Sequence, residues 1–184
     1  WIEASAWGRL GAYDEQRRCV ERARVEARAL GDAYLEILMR LGPAAYYRLA
    51  QDAPELAISE SDDAKERSGA SGFLAYLRAY IAVSAQLYLG RVDDARRLVE
   101  ASMQEVKKTG MGSVELVRTE MEDLRARSFI AEADRTTGSA GKAARKKDLA
   151  VAQRSMKWLL GSSQAGAKAR GLMARAQLEL IADR

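Results

Sequence analysis

The sequence predicts an all-α fold, a right-handed α-solenoid of stacked helical hairpins, on three observations. First, Leu87-Tyr88-Leu89-Gly90-Arg91-Val92-Asp93-Asp94-Ala95 ends one amphipathic segment on a glycine and opens another on small and acidic residues. Gly11-Ala12-Tyr13-Asp14-Glu15 repeats that device, and Asp52-Ala53-Pro54-Glu55-Leu56-Ala57 is a looser third copy. Second, the 184 residues include only 2 Pro and are rich in Ala, Leu, Arg and Glu, side chains that lose little rotamer freedom in a helix. Third, no run alternates apolar and β-branched polar residues as a strand would. A repeated helix–turn–helix unit cannot bury its apolar face alone, so it stacks on its neighbours.

The elements follow from these signals in order. Residues 1–10 read as the end of a helix stopped near Gly11. Residues 13–30 form the next, with Cys19, Val20, Ala23, Ala27 and Leu30 at spacings of three and four. Gly31-Asp32 supplies a C-terminal glycine and an N-capping acid. The helix predicted over 33–50 carries Leu35, Leu38, Met39, Ala45, Tyr46 and Leu49, and Pro43 should kink or split it by removing a ladder hydrogen bond. Pro54 suits the first position of a helix reaching about Arg67. Ser68-Gly69-Ala70-Ser71-Gly72 is the clearest loop. Residues 73–89 and 92–109 make the best hairpin, and the first of them is apolar enough to be buried. Ser113 is the expected cap of a long helix with Val114, Val117, Met121 and Leu124 on one side, fading near Thr136-Thr137-Gly138. Residues 140–160 follow, with Leu149, Ala152, Met156 and Leu159 inward, and residues 164–182 form the last helix. Ala23, Ala57 and Ala95 are small where second helices approach closely.

Composition excludes several chemistries. With 48% hydrophobic and 30% charged residues, the chain can fill a core and is not a disordered tail. One cysteine, Cys19, makes no internal disulfide and fits a reducing, cytoplasmic location. The absence of His removes the commonest general base, every Ser-His pair and the usual zinc ligand sets. No catalytic residue, metal or cofactor is expected, and no membrane span, since Arg78, Ser84 and Gln86 interrupt the longest apolar stretch. The chain opens on Trp1 instead of Met, so residues 1–184 are expected to be one helical-repeat domain of a longer protein.

Gly90-Arg91-Val92-Asp93-Asp94-Ala95, followed by Val99 and Ser102, resembles the turn and second helix of a tetratricopeptide repeat. The turns at Gly11, Asp52, Gly90 and Gly138 stand 41, 38 and 48 residues apart, longer and less even than the roughly 34 of a regular array. The order Leu30-Gly31-Asp32, Asp52-Ala53-Pro54-Glu55, Gly72-Phe73, Tyr88-Leu89-Gly90 resembles the C-terminal helical region of large bacterial serine/threonine protein kinases. In those proteins a kinase domain and an AAA-type ATPase module precede such repeats. The resemblance covers most of the chain and departs at Ser68–Gly72 and around Thr136–Gly141. It implies a non-catalytic interaction or regulatory domain of a signalling protein. Its partner would be a protein, a peptide or a neighbouring domain of the same polypeptide.

Four groups of residues are candidates for function. Gly138-Ser139-Ala140-Gly141-Lys142-Ala143 has the outline of a phosphate loop, but Thr136 and Ala143 stand where that loop needs glycine and a hydroxyl, so it reads as an interhelical turn. Lys142, Arg145, Lys146 and Lys147, with Arg154 and Lys157, form a basic segment whose cations oppose the dipole of their own helix start. A solvated face is the simpler reading; binding of nucleic acid or another anion through 142–157 is the alternative function. Arg17–Glu21 and Arg22–Glu26 are ordinary helix-surface pairs. The acids Asp62, Asp63, Glu120, Glu122 and Asp123 lack partner ligands for a di-metal bundle.

The fourth group is aromatic. In a tetratricopeptide-like hairpin the first helix lines the concave groove, and Tyr76, Tyr80, Ser84 and Tyr88 form a row at helical spacing. Tyr46 and Arg48 would come from the preceding first helix, and Arg118, Glu122 and Arg125 from the following one. Amphipathic anchors beside charged selectors suit a peptide or helix. Each tyrosine taken singly also reads as core with its hydroxyl at the edge. Trp1 and Trp7 share no helical stripe, so at least one is expected at a docking or cut edge, and open repeat ends invite self-association.

Overall fold

The computed structural model describes residues 1–67, 71–136 and 141–182, and among these every regular element is helical. The α-helices are α1 (Ile2–Arg9), α2 (Tyr13–Ala29), α3 (Ala33–Leu38), α4 (Tyr46–Ala50), α5 (Pro54–Arg67), α6 (Gly72–Tyr88), α7 (Val92–Lys108), α8 (Glu115–Arg135), α9 (Lys142–Gly161) and α10 (Ala165–Ala182). Short 3₁₀ turns lie at Gly42–Ala45 and Met111–Ser113. Pro43 does split the expected 33–50 helix, which accounts for the extra elements. Ser68, Gly69 and Ala70 of the expected loop, and Thr137, Gly138, Ser139 and Ala140 of the expected turn, lie outside the described residues.

The turns are built alike. Gly11, Gly31 and Gly90 are left-handed, at φ of 74°, 69° and 69°. The following residue donates back to the last turn: Ala12 to Trp7, Asp32 to Ala27, Arg91 to Gln86. This satisfies carbonyls that the helix end leaves without partners. Asp52 makes the same turn at φ 56°, with Ala53 donating to Arg48, which is why the third sequence copy lacks a glycine. Aspartate tolerates this region better than most residues. Its carboxylate also accepts the Tyr88 hydroxyl at 2.9 Å. The expected Ser113 cap is not formed. The Ser113 hydroxyl donates to the Gly110 carbonyl at 2.8 Å, because Ser113 belongs to the 3₁₀ turn that follows left-handed Gly110, and Val114 occupies the cap position. Leu30, expected inward, points to solvent past the end of α2.

Helices α4 to α10 pack in order on their sequence neighbours, as do α1, α2 and α3. In addition α2, α4, α6, α8 and α10 touch in succession, while α5, α7 and α9 each lie across two members of that row. The central core gathers Leu41, Leu77, Ile81, Ala95, Val99, Met121 and Leu124. It is flanked by an N-terminal cluster around Val20, Met39 and Tyr47 and a C-terminal one around Phe129, Ala152 and Leu178. α6 is buried on most of its faces, as an all-round apolar helix must be. Ala57 and Ala95 are fully buried where helices meet. At Gly42, φ 62°, a Cβ would stand 2.5 Å from Leu77 Cδ2, so glycine there lets the 3₁₀ turn press onto α6. No helix among the described residues is long and apolar enough to cross a membrane.

Candidate functional site

α6 carries an aromatic ladder. Trp1 meets Phe73 edge-on with ring centroids 5.8 Å apart, Phe73 meets Tyr76 at 5.9 Å, Tyr76 meets Tyr80 at 6.2 Å, and Tyr80 meets Tyr46 of α4 at 5.3 Å. Tyr76 and Tyr80 are almost wholly buried. A buried phenol needs a partner, and for Tyr76 it is Glu120 of α8, to which its hydroxyl donates. Glu120 also takes Arg9 of α1 at 3.0 Å and Arg170 of α10 at 3.7 Å, and Arg170 holds Asp123 at 3.0 Å. One carboxylate thus joins the first helix, two central ones and the last.

Burial is the dominant electrostatic influence at this cluster. It pushes the Glu120 carboxyl up, against the lowering pull of Tyr76, Arg170 and Arg9. Burial, then Glu120, pushes the Tyr76 phenol far above its usual value. Burial opposes the Arg170 charge, yet Tyr80, Asp123 and Glu120 together hold it more firmly protonated than usual. These groups are structural donors and acceptors, all engaged with one another.

The expected groove residues separate into four places. Tyr46, Ser84 and Tyr88 border a cavity of about 430 Å³ with Tyr13, Leu49, Ala50, Leu87 and Arg127. Within it Ser84 is buried and donates to the Tyr80 carbonyl at 2.8 Å, a bond internal to its helix. Tyr88 is 53% exposed. Tyr76 and Tyr80 belong to the interior, so the row Tyr76–Tyr80–Ser84–Tyr88 presents only its last member to solvent. Arg48 sits apart, bonding both oxygens of Glu60 at 3.0 and 3.1 Å beside Arg24 and lying over the Tyr47 ring.

Arg118, Glu122 and Arg125 line a different cavity of about 540 Å³ between α7 and α8, floored by Met103, Val106 and Met121. Arg118 lies over Trp158 at 4.6 Å, Arg125 pairs with Glu100 at 2.6 Å, and Glu122 accepts the Ser155 hydroxyl at 2.6 Å. The reason is helical phase. Two residues along an α-helix turn about 200°, so Glu120, Asp123 and Arg127 share one side of α8 while Arg118, Glu122 and Arg125 face another.

Arg127, which sequence reasoning missed, borders the cavity of Tyr46 and Tyr88 and lies 4.0 Å from Asp123 one turn earlier on α8. With Leu87 it also lines an adjoining cavity of about 330 Å³, whose other walls include Ile130, Gln177 and Leu180. The two cavities thus adjoin, with Leu87 and Arg127 bordering both. The phosphate-loop outline ends in helix: Thr136 donates its hydroxyl to Glu132 and Lys142 opens α9, with residues 138–140 outside the description. No metal-holding group of three acids or cysteines occurs among the described residues. Comparison with family models, curated proteins and solved structures finds no match to this chain.

Proposed function

We propose that this chain is a tetratricopeptide-like helical-repeat module, a right-handed solenoid that binds a protein segment and catalyses nothing. What supports the solenoid reading is the succession α2, α4, α6, α8, α10 with α5, α7 and α9 laid across it. The observation that carries the binding reading is the pair of adjoining cavities past Tyr13, Tyr46 and Tyr88 on one side and Ile130 and Leu180 on the other, mainly apolar, with Leu87 and Arg127 bordering both. An extended or helical peptide with apolar side chains and one acid fits such a surface.

By its resemblance to the C-terminal region of bacterial serine/threonine kinases, the module serves a larger ATP-binding signalling protein. There it docks a substrate or a neighbouring domain. Regulation through it requires the bound segment to favour one state of the parent over another.

Two experiments test this. Peptides selected from a random display library against the folded chain should lose at least tenfold in affinity to Tyr88→Ala combined with Arg127→Glu, at unchanged helicity; undiminished binding would move the site elsewhere. Full-length gene product should transfer phosphate from ATP at a rate or with a substrate choice that depends on residues 1–184. Absence of any transfer would remove the kinase parent and leave an adaptor.

A further inference from the structure

α9 differs from every other helix in its charge. It carries Lys142, Arg145, Lys146, Lys147, Arg154 and Lys157 against one acid, Asp148, more net positive charge than the chain's overall +4. Asp148 is buried and is held by Arg96 of α7 at 3.4 Å. Arg145 turns inward and donates to the carbonyls of Ala133, at 3.1 Å, and Ile181, near the C-terminal ends of α8 and α10. The other five cations are exposed, and none joins an ion pair among the described residues. At 100° and 1.5 Å per residue they occupy an arc of about 140° along about 22 Å of helix.

We propose that this face of α9 binds the phosphate backbone of double-stranded nucleic acid without reading its sequence. A duplex offers one phosphate charge per about 1.7 Å of axis, so five cations along this length find partners wherever they settle. The remaining exposed residues of the face are Ala143, Gln153 and Gly161. They include no large apolar side chain to enter a bilayer, which sets a nucleic acid above an anionic membrane. They include no aromatic ring on which unpaired bases could stack, and the half-buried Trp158 beside them has Arg118 over one face of its ring. A duplex therefore suits the face better than a single strand. Lysines on long stems act as point charges, which position a backbone and do not discriminate bases.

The test is fluorescence anisotropy of a labelled 20-base-pair duplex with the 184-residue chain, across a salt titration. Five neutralised phosphates give a slope of log affinity against log salt near −4.5, so affinity falls roughly a hundredfold between 50 and 150 mM. Lys146→Gln, Lys147→Gln and Arg154→Gln together should bring the slope to about −2 and weaken binding at least tenfold at 50 mM. All three positions are solvent-facing, and an unchanged thermal midpoint confirms the fold. Arg17→Gln with Arg22→Gln on α2 should leave binding within twofold. The proposal is overturned by no duplex binding at 50 mM salt, by an unchanged slope in the α9 variant, or by tighter binding to single strands. Tighter binding to vesicles of equal parts phosphatidylserine and phosphatidylcholine would overturn it as well.

Discussion

α2 and α9 are both crowded with cations, and they use them in opposite ways. Each of the five arginines of α2 reaches a carboxylate: Arg17 to Glu21, Arg18 to Glu15, Arg22 to Glu3, Arg24 to Glu60 and Arg28 to Glu36. Of the six cations of α9, five reach none among the described residues, and the sixth caps neighbouring helices. Glu15 and Glu21 come from α2 itself, while Glu3, Glu60 and Glu36 are brought in by α1, α5 and α3; α9 spaces its cations with alanines, and its one acid, Asp148, is taken by Arg96 of α7. A run of positive charge is a site for an anion only where the fold has not already supplied one.

The largest expected effect breaks the α2 side of this contrast. Glu60 is the meeting point of Arg24 and Arg48, all three mostly buried. Glu60→Ala strands two desolvated guanidinium groups and should cost about 3 kcal/mol in urea unfolding. A cost below about 1 kcal/mol would mean that these arginines reach water instead. Next comes the exception within α9. Arg145→Ala removes charge-assisted bonds to two helix-terminal carbonyls, for about 1–2 kcal/mol of stability. Lysine there should recover only part of that loss.

The Glu120 clasp sharpens the contrast through pH. Because burial raises this carboxyl in the folded state, the folded chain binds a proton more readily than the unfolded one. Wild type should therefore gain stability relative to Glu120→Gln as pH falls toward the ordinary glutamate value of 4.5. A difference independent of pH would show that Glu120 titrates normally. The smallest effects belong to solvent-exposed pairs. Arg17→Gln should change unfolding free energy by about 0.3 kcal/mol, within the usual range for a pair on a helix surface.

Much of the frame was legible because it is written locally. Gly11, Gly31 and Gly90 mark turns by a backbone conformation that few other residues accept, Pro43 breaks a ladder at its own position, and Pro54 starts a helix. The candidate site was less legible because it depends on contacts between distant segments. Tyr76 and Tyr80 read equally as groove or core until Glu120, 44 residues from Tyr76, supplies the buried hydroxyl with a partner. α8 has polar residues on more than one side, so periodicity alone could not say whether Arg118 or Arg127 faced the adjoining cavities. Asp52 hid a turn that glycine would have announced.

Most packing in this chain is between neighbouring helices, and helices held only by local contacts open independently of each other. Arg9 and Arg170 reach the same Glu120 from α1 and α10. Opening of either end leaves the other arginine with a larger share of the buried carboxylate to compensate, so the second end is held more tightly than before. Arg9→Gln should therefore leave the amide hydrogens of α10 at least as well protected as in the wild type, and accelerated exchange in α10 would refute the coupling. The clasp makes the first and last described helices report on each other.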